Sequence, residues 1–178
     1  MVTNNFKKLI FSYLFNSGEV GTGNPYAINN VSAVRTSGVV GNFLGTTSRK
    51  DAFNANINCF NHISTDNTAN GYLHVKVGTG TTAPTADDYE LESVNSDITV
   101  SSASTAPTDS SSRIYTVTLN NPTDNDINIT EIGLYGMLGD FYGIALAYNE
   151  YLLDRTVLST PITIPAGQSK SITYEITF

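Results

Sequence analysis

Hydrophobic positions in the C-terminal third recur at every second residue. Tyr115, Val117 and Leu119 share one phase, and Ile172, Tyr174, Ile176 and Phe178 share another, with polar or β-branched residues between them. A period of two places each set on one face of a pleated strand, and that face has to be buried against a second layer. Three strand-forming segments are therefore expected at 112–120, 127–137 and 155–178, the last punctuated by Pro161 and by Pro165-Ala166-Gly167. Residues 72–77 predict another strand, with Leu73, Val75 and Val77 facing in and Tyr72, His74 and Lys76 facing out. A short strand is expected at 98–100, and apolar islands at 27–34 and 39–44 predict brief strands between loops. Residues 101–112 are nearly all Ser, Thr, Ala, Asp and Pro and read as an exposed loop. Dense turn chemistry at Asn120-Asn121-Pro122-Thr123-Asp124-Asn125-Asp126 joins two antiparallel strands. The expected fold class is mainly β, an antiparallel β-sandwich of jelly-roll or immunoglobulin-like type, formed by residues 21–178 as a single domain.

The N-terminal segment follows a different period. Residues 4–16 predict a short α-helix, with Thr3, Asn4 or Asn5 as N-cap and Gly18 beyond its end. Phe6, Leu9, Ile10, Tyr13 and Leu14 form one stripe, while Phe11 and Phe15 lie off it, which is more apolar surface than docking on one side requires. Two explanations stay open: a helix wedged between the sandwich and its own loops, or an arm, residues 1–20, that docks on a neighbouring subunit. In the second case these seven side chains are the candidate partner interface. A stripe burying several hundred Å² at ~25 cal/mol per Å² supplies several kcal/mol before ordering costs.

Charge narrows the classes of function. The 178 residues carry a formal charge of −7, and the nine Lys and Arg are scattered, so no basic patch is available to neutralise phosphates and nucleic acid is not expected as a partner. The single cysteine, Cys59, excludes an intrachain disulfide and a cysteine-based zinc cage, and reads as a small buried hydrophobe. Lys7 and Lys8 ahead of residues 9–15 imitate a secretory leader, but Ser12 and Tyr13 interrupt the apolar run and no signal peptide is read. No segment approaches the ~20 apolar residues that cross a bilayer, so no membrane partner is expected.

Candidate chemistry is sparse. His62 and His74 are the only histidines, and neither has a nucleophile and base at motif spacing, so both read as surface residues. The Val77-Gly78-Thr79-Gly80-Thr81-Thr82 loop lacks the Gly-Lys-Ser/Thr ending of a phosphate-cradling loop, and its glycines read as positions of positive φ. Asp87, Asp88, Glu90 and Glu92 lack the alternating spacing of a calcium loop and read as a solvated acidic turn. No catalytic residue, cofactor or metal is assigned, and the chain is expected not to be an enzyme.

One charge pattern stands apart. Strict alternation along 127–134 puts Glu131 on the face of Ile127 and Ile129, unless a bulge near Thr130 switches the phase to Ile132 and Leu134. An inward Glu131 needs a cation, and Arg155, in the apolar setting Leu152-Leu153-Asp154-Arg155-Thr156-Val157-Leu158, is the candidate partner in a structural ion pair.

Several of these blocks, taken in order, carry a resemblance. Phe6-Lys7-Lys8-Leu9, the stretch from Val77-Gly78-Thr79-Gly80 through Asp87-Asp88-Tyr89-Glu90-Leu91-Glu92, Ile129-Thr130-Glu131-Ile132-Gly133-Leu134-Tyr135-Gly136, the segment 152–158 and the closing Ile164-Pro165-Ala166-Gly167-Gln168-Ser169 resemble a group of tailed-bacteriophage virion proteins. The resemblance covers mainly residues 72–178 and the N-terminal helix, and carries over no catalytic residue. It implies a structural subunit located in the virion, in the tail, fibres or collar or on the capsid surface, forming homo-oligomers or binding other virion proteins. The alternative reading is a host-receptor or glycan-binding module, with Tyr72, Tyr89 and residues 101–112 contacting a host surface.

Overall fold

In the computed structural model, residues 1–4, 6–7, 32–42, 63–66, 72–107, 112–142 and 145–177 are described. Within them the chain is mainly β. The elements are β1 (Ser32–Val34), β2 (Val40–Asn42), β3 (Leu73–Gly78), β4 (Thr99–Pro107), β5 (Ser112–Asn120), β6 (Ile127–Tyr142), β7 (Ala145–Ile164) and β8 (Ser169–Thr177). Two antiparallel three-stranded sheets, ordered β3-β6-β7 and β4-β5-β8, account for most of them, and β1 and β2 form a separate hairpin.

The alternation in the sequence sets the buried faces. Tyr115, Val117 and Leu119 of β5 and Ile172 and Tyr174 of β8 are buried, while Ser171, Thr173 and Glu175 between them are exposed. Leu73, Val75 and Val77 of β3 enter the same apolar cluster, as do Ile132, Leu134 and Leu138 of β6 and Tyr151 and Leu153 of β7. Both sheets thus contribute to one core. Tyr174 crosses it to donate its hydroxyl to Asp154 of β7; burial, then the Asp154 carboxylate, push the phenol's pKa upward.

Three expectations about strand limits are corrected. Residues 101–112 are not simply a loop: β4 runs to Pro107 because its backbone pairs with β5 from Thr99↔Asn120 to Pro107↔Arg113, with one irregularity between Val100 and Ser102. Cross-strand hydrogen bonding prevails there over a turn-like composition. β6 continues past Met137 to Tyr142 by pairing with the start of β7, down to Tyr142↔Ala145. The segment 155–178 contains the end of one strand and a second strand, with Gly167 at positive φ (65°) in the turn between them.

The phase switch near Thr130 is present. Ile129 pairs with Ile162, but Glu131 pairs with Val157, so residues 158–161 of β7 face the single Thr130 of β6. Ile129, Ile132 and Leu134 consequently all reach the core, and Glu131 takes the opposite face of the sheet. It is nonetheless fully buried, because residues 79–95 fold back over that face.

At the N-terminus, residues 1–3 add alongside β7: Val2 bridges Asp154, Arg155 donates its N–H to the Met1 carbonyl at 3.1 Å, and Thr3 donates to the Leu153 carbonyl at 3.0 Å. Thr3 also caps the turn that follows, where its hydroxyl accepts the Phe6 N–H and its carbonyl accepts the Lys7 N–H. Phe6 is buried in the chain's own core cluster. Leu9, Ile10, Phe11, Tyr13, Leu14 and Phe15 lie outside the described residues, as do Cys59 and His62.

Candidate functional site

The best-developed polar constellation of the described residues lies where residues 79–95 cross the face of β6 and β7. Glu131 projects from β6 and is 0% exposed. Its Oε1 accepts the backbone N–H of Gly80 (3.1 Å) and of Ser93 (2.7 Å), and its Oε2 accepts the N–H of Glu92 (3.1 Å) and Arg155 Nε (2.9 Å). A buried carboxylate is thereby supplied with four donors, the condition under which such a group is tolerated away from water. Both expected partners, Glu131 and Arg155, are therefore in direct contact.

Arg155 does more than pair with Glu131. Its Nη1 donates to Asp88 Oδ2 at 2.8 Å and its Nη2 lies 3.4 Å from Glu92 Oε2, so the guanidinium spans one carboxylate of the sheet and two of the loop. Burial alone works against the charge, but the hydrogen bonds that Arg155 donates to Asp88 and Glu131 outweigh it and raise the guanidinium pKa. Asp88 is held below the usual carboxylate range: burial opposes this, and the bonds from Arg155 and Thr85 prevail. Glu92 is lowered chiefly by Thr82, whose N–H and hydroxyl both donate to it, with the Thr81 N–H adding to the effect. The acidic stretch is thus only partly solvated. Asp88 turns inward, Glu92 stays exposed while its carboxylate accepts from Thr81, Thr82 and Arg155, and Leu91 between them is buried against Tyr135 and Leu152. Composition alone did not reveal this, because the cation that organises the turn lies 63 or more residues further along the chain.

The glycines of this region act through space, not through φ. Among the described glycines, positive φ occurs at Gly38 and Gly167, not at Gly78 or Gly80. A Cβ on Gly80 would stand 2.6 Å from Glu131 Oε1 and 2.6 Å from Glu92 Cβ, and one on Gly78 would run into the Ser93 carbonyl. Gly133 similarly leaves room for the Tyr135 ring and Leu91, which a Cβ would approach to 2.7 and 2.9 Å. Gly80→Ala is accordingly expected to cost about 1–3 kcal/mol, by the strain of overpacking a site that cannot yield. Thermal unfolding of the variant measures this, and an unchanged midpoint would show that the loop relaxes freely.

A second polar group occupies the same face. His74, expected at the surface, is 2% exposed. It stacks on Tyr135 with ring centroids 5.6 Å apart, and its Nε2 lies 2.7 Å from Glu150 Oε1. Lys76 places its Nζ 2.7 Å from Glu150 Oε2 and 4.9 Å above the Tyr135 ring. The face that alternation assigned to solvent is covered instead by the folded-back loop, whose Leu91 N–H donates to the Tyr135 hydroxyl at 2.9 Å. Burial pushes the Tyr135 phenol upward. For Glu150 burial also acts upward, but the bonds from His74 and Lys76 win, and its carboxyl is held down to about 2.

That depression fixes a pH dependence. A carboxyl whose folded value lies below its unfolded one stabilises the fold above the unfolded value, and the contribution is lost as pH falls towards the folded value. The stability difference between the wild type and Glu150→Gln should therefore be full at pH 7, shrink below about 4.5 and lose its ionisation-dependent part as pH falls through about 2. Denaturant titrations across that range measure it. A difference that does not vary with pH would show that the ionised carboxylate is not what the fold uses.

Asn121 went unnoticed within its turn sequence. It is 0% exposed, and its Nδ2 donates to the carbonyls of Asn125 (2.8 Å), Ile164 (2.9 Å) and Pro165 (3.3 Å), while its Oδ1 accepts the N–H and hydroxyl of Thr123. One side chain ties the β5–β6 turn to the β7–β8 turn.

Chemically, these groups hold backbone and one another. Every side-chain nitrogen of Arg155 faces a carboxylate, and the polar groups of the open depression beside it, lined in part by Thr82, Thr85, Tyr89 and Glu90, are mainly carboxylates and hydroxyls. Among the described residues no group of His, Cys, Asp and Glu is arranged to hold a metal ion, and no helix is long and apolar enough to cross a membrane. Comparisons with protein-family models, with curated proteins and with solved structures gave no match.

Proposed function

We propose that this chain is a non-enzymatic structural subunit of a tailed-bacteriophage virion, a β-sandwich module of the tail, fibre, collar or capsid surface that assembles with itself or with other virion proteins. The observation that carries the reading is the use made of the ionisable side chains. Glu131, Arg155, Asp88 and Glu92 are spent on fixing a loop to a sheet, with Arg155 and Glu131 both almost entirely shielded from solvent. A particle built by repetition needs subunits that keep one geometry, and buried, fully bonded polar networks favour a single arrangement. The order of sequence blocks that resembles virion proteins runs through the same residues: 77–92 form the loop, 129–136 carry Glu131 and 152–158 carry Arg155. The arm at residues 1–20 is the proposed docking element, with Phe6 anchoring its start in the subunit's own core.

Mass photometry of the purified chain, together with incorporation of a form lacking residues 8–20 into particles, tests the reading. Oligomers and failed incorporation are expected. A chain that stays monomeric at high concentration, and whose shortened form still enters particles, contradicts it. The second reading, a receptor- or glycan-binding module, is favoured by the exposure of Tyr72 (40%) and Tyr89 (38%), aromatic residues of the kind that stack on sugars. A glycan array separates the two.

A further inference from the structure

The first residues of the chain and the loop that covers Glu131 are bonded to each other as well as to the sheet. Asn4 donates its backbone N–H to the Ala86 carbonyl at 2.7 Å and its Nδ2 to Asp87 Oδ1 at 2.7 Å. Residues 1–3 lie on the edge of β7 at Leu153 and Arg155, so the backbone of Arg155 holds the N-terminal strand while its side chain holds the loop through Asp88 and Glu92. Thr3 adds its hydroxyl to the Leu152 carbonyl at 2.8 Å, and Leu152 also packs against Leu91 of the loop. The two segments thus share their anchors on β7 and touch each other at residues 86–87.

We propose that residues 1–7 and residues 79–95 form one cooperative strap, closed by Arg155, that opens as a unit while both sheets stay folded. The inference goes beyond the proposed function and stands whether or not the chain belongs to a virion. Opening uncovers the β7 edge at residues 152–155 together with the buried Glu131. The physical basis is that releasing the loop removes the seat of Asn4, and releasing residues 1–3 removes one wall of that seat. Coupling between two sites is reciprocal, so it must be readable from either end. Local openings of this kind occur below the free energy of global unfolding and are read by amide exchange.

The test is residue-resolved amide exchange on the full chain and two variants, Asp88→Asn and Asn4→Ala. Asp88→Asn weakens the loop's hold on Arg155 without touching residues 1–4, and should speed exchange at the Thr3 and Asn4 amides, as well as at Gly80 and Ser93, by about 5- to 30-fold, the effect of 1–2 kcal/mol. Asn4→Ala should speed Gly80, Thr81 and Ser93 in turn. Amides of β5, the central strand of the other sheet, should keep wild-type rates in both. Faster exchange confined to the mutated segment would overturn the proposal, because the two segments then open independently. A uniform increase that includes β5 would overturn it as well, since only global stability would have changed. Asn121→Ala, at the opposite turns, gives the pattern of a purely global loss for comparison.

Discussion

Arg155→Met is expected to lower the free energy of unfolding by about 3–5 kcal/mol, the penalty for breaking a buried ion pair from one side. Glu131 would keep its three backbone donors but lose the one cation that reaches it among the described residues, and Asp88 and Glu92 would be left without the guanidinium that joins them to it. The pattern among double variants is more informative than the single loss. Glu131→Leu with Arg155→Met should not recover stability, although apolar replacement of buried pairs often does, because the N–H groups of Gly80, Glu92 and Ser93 would all lose their acceptor. Glu131→Gln with Arg155→Met should be less damaged than Arg155→Met alone, since an amide oxygen still accepts from Gly80 and Ser93 and no fully buried charge is left at position 131. Urea unfolding followed by circular dichroism gives all three values. If the double Leu/Met variant were as stable as the wild type, the backbone donors would not be what makes this carboxylate necessary.

Asn121→Ala is expected to cost about 2–4 kcal/mol, since it removes the partners of the buried Ile164 carbonyl and of the Thr123 N–H at a site with no exposure. For a chain of this length, that corresponds to a fall in melting temperature of roughly 4–16 °C at about 2–4 °C per kcal/mol. Asn121→Asp keeps the shape and the bonds from Thr123 but turns an acceptor towards three carbonyl oxygens, so it should be at least as damaging as alanine. Differential scanning calorimetry distinguishes this from a mere packing defect, in which Asp, nearly the same size as Asn, would be tolerated.

The legible parts of this protein were those set by neighbours along the chain. Tyr115, Val117 and Leu119, or Ile172 and Tyr174, announce their buried face by period alone, and β5 falls on the limits read from the sequence, Ser112–Asn120. The possibility of a bulge at Thr130 was visible because alternation fails there. The Glu131 and Arg155 partnership was visible because a charge sat within each of two apolar strands. What stayed hidden was the second covering layer. His74 reads as an outward residue of a strand with one buried face, and is buried instead against Tyr135 and Glu150 of the neighbouring strands. Asp88 reads as solvated, Gly80 as a turn residue and Asn121 as one polar residue among six.

The sequence by itself determined that this chain forms antiparallel strands, which of their faces are apolar, and that a buried carboxylate would seek the arginine of a later strand, because each of these follows from periodicity and from the cost of burying charge. Only the tertiary structure decided that residues 79–95 close over the other face of β6 and β7. That closure depends on donors from three separate stretches, at Gly80, at Glu92 and Ser93, and at Arg155, converging on one carboxylate. Convergence is a property of distances in space, and local pattern does not encode it.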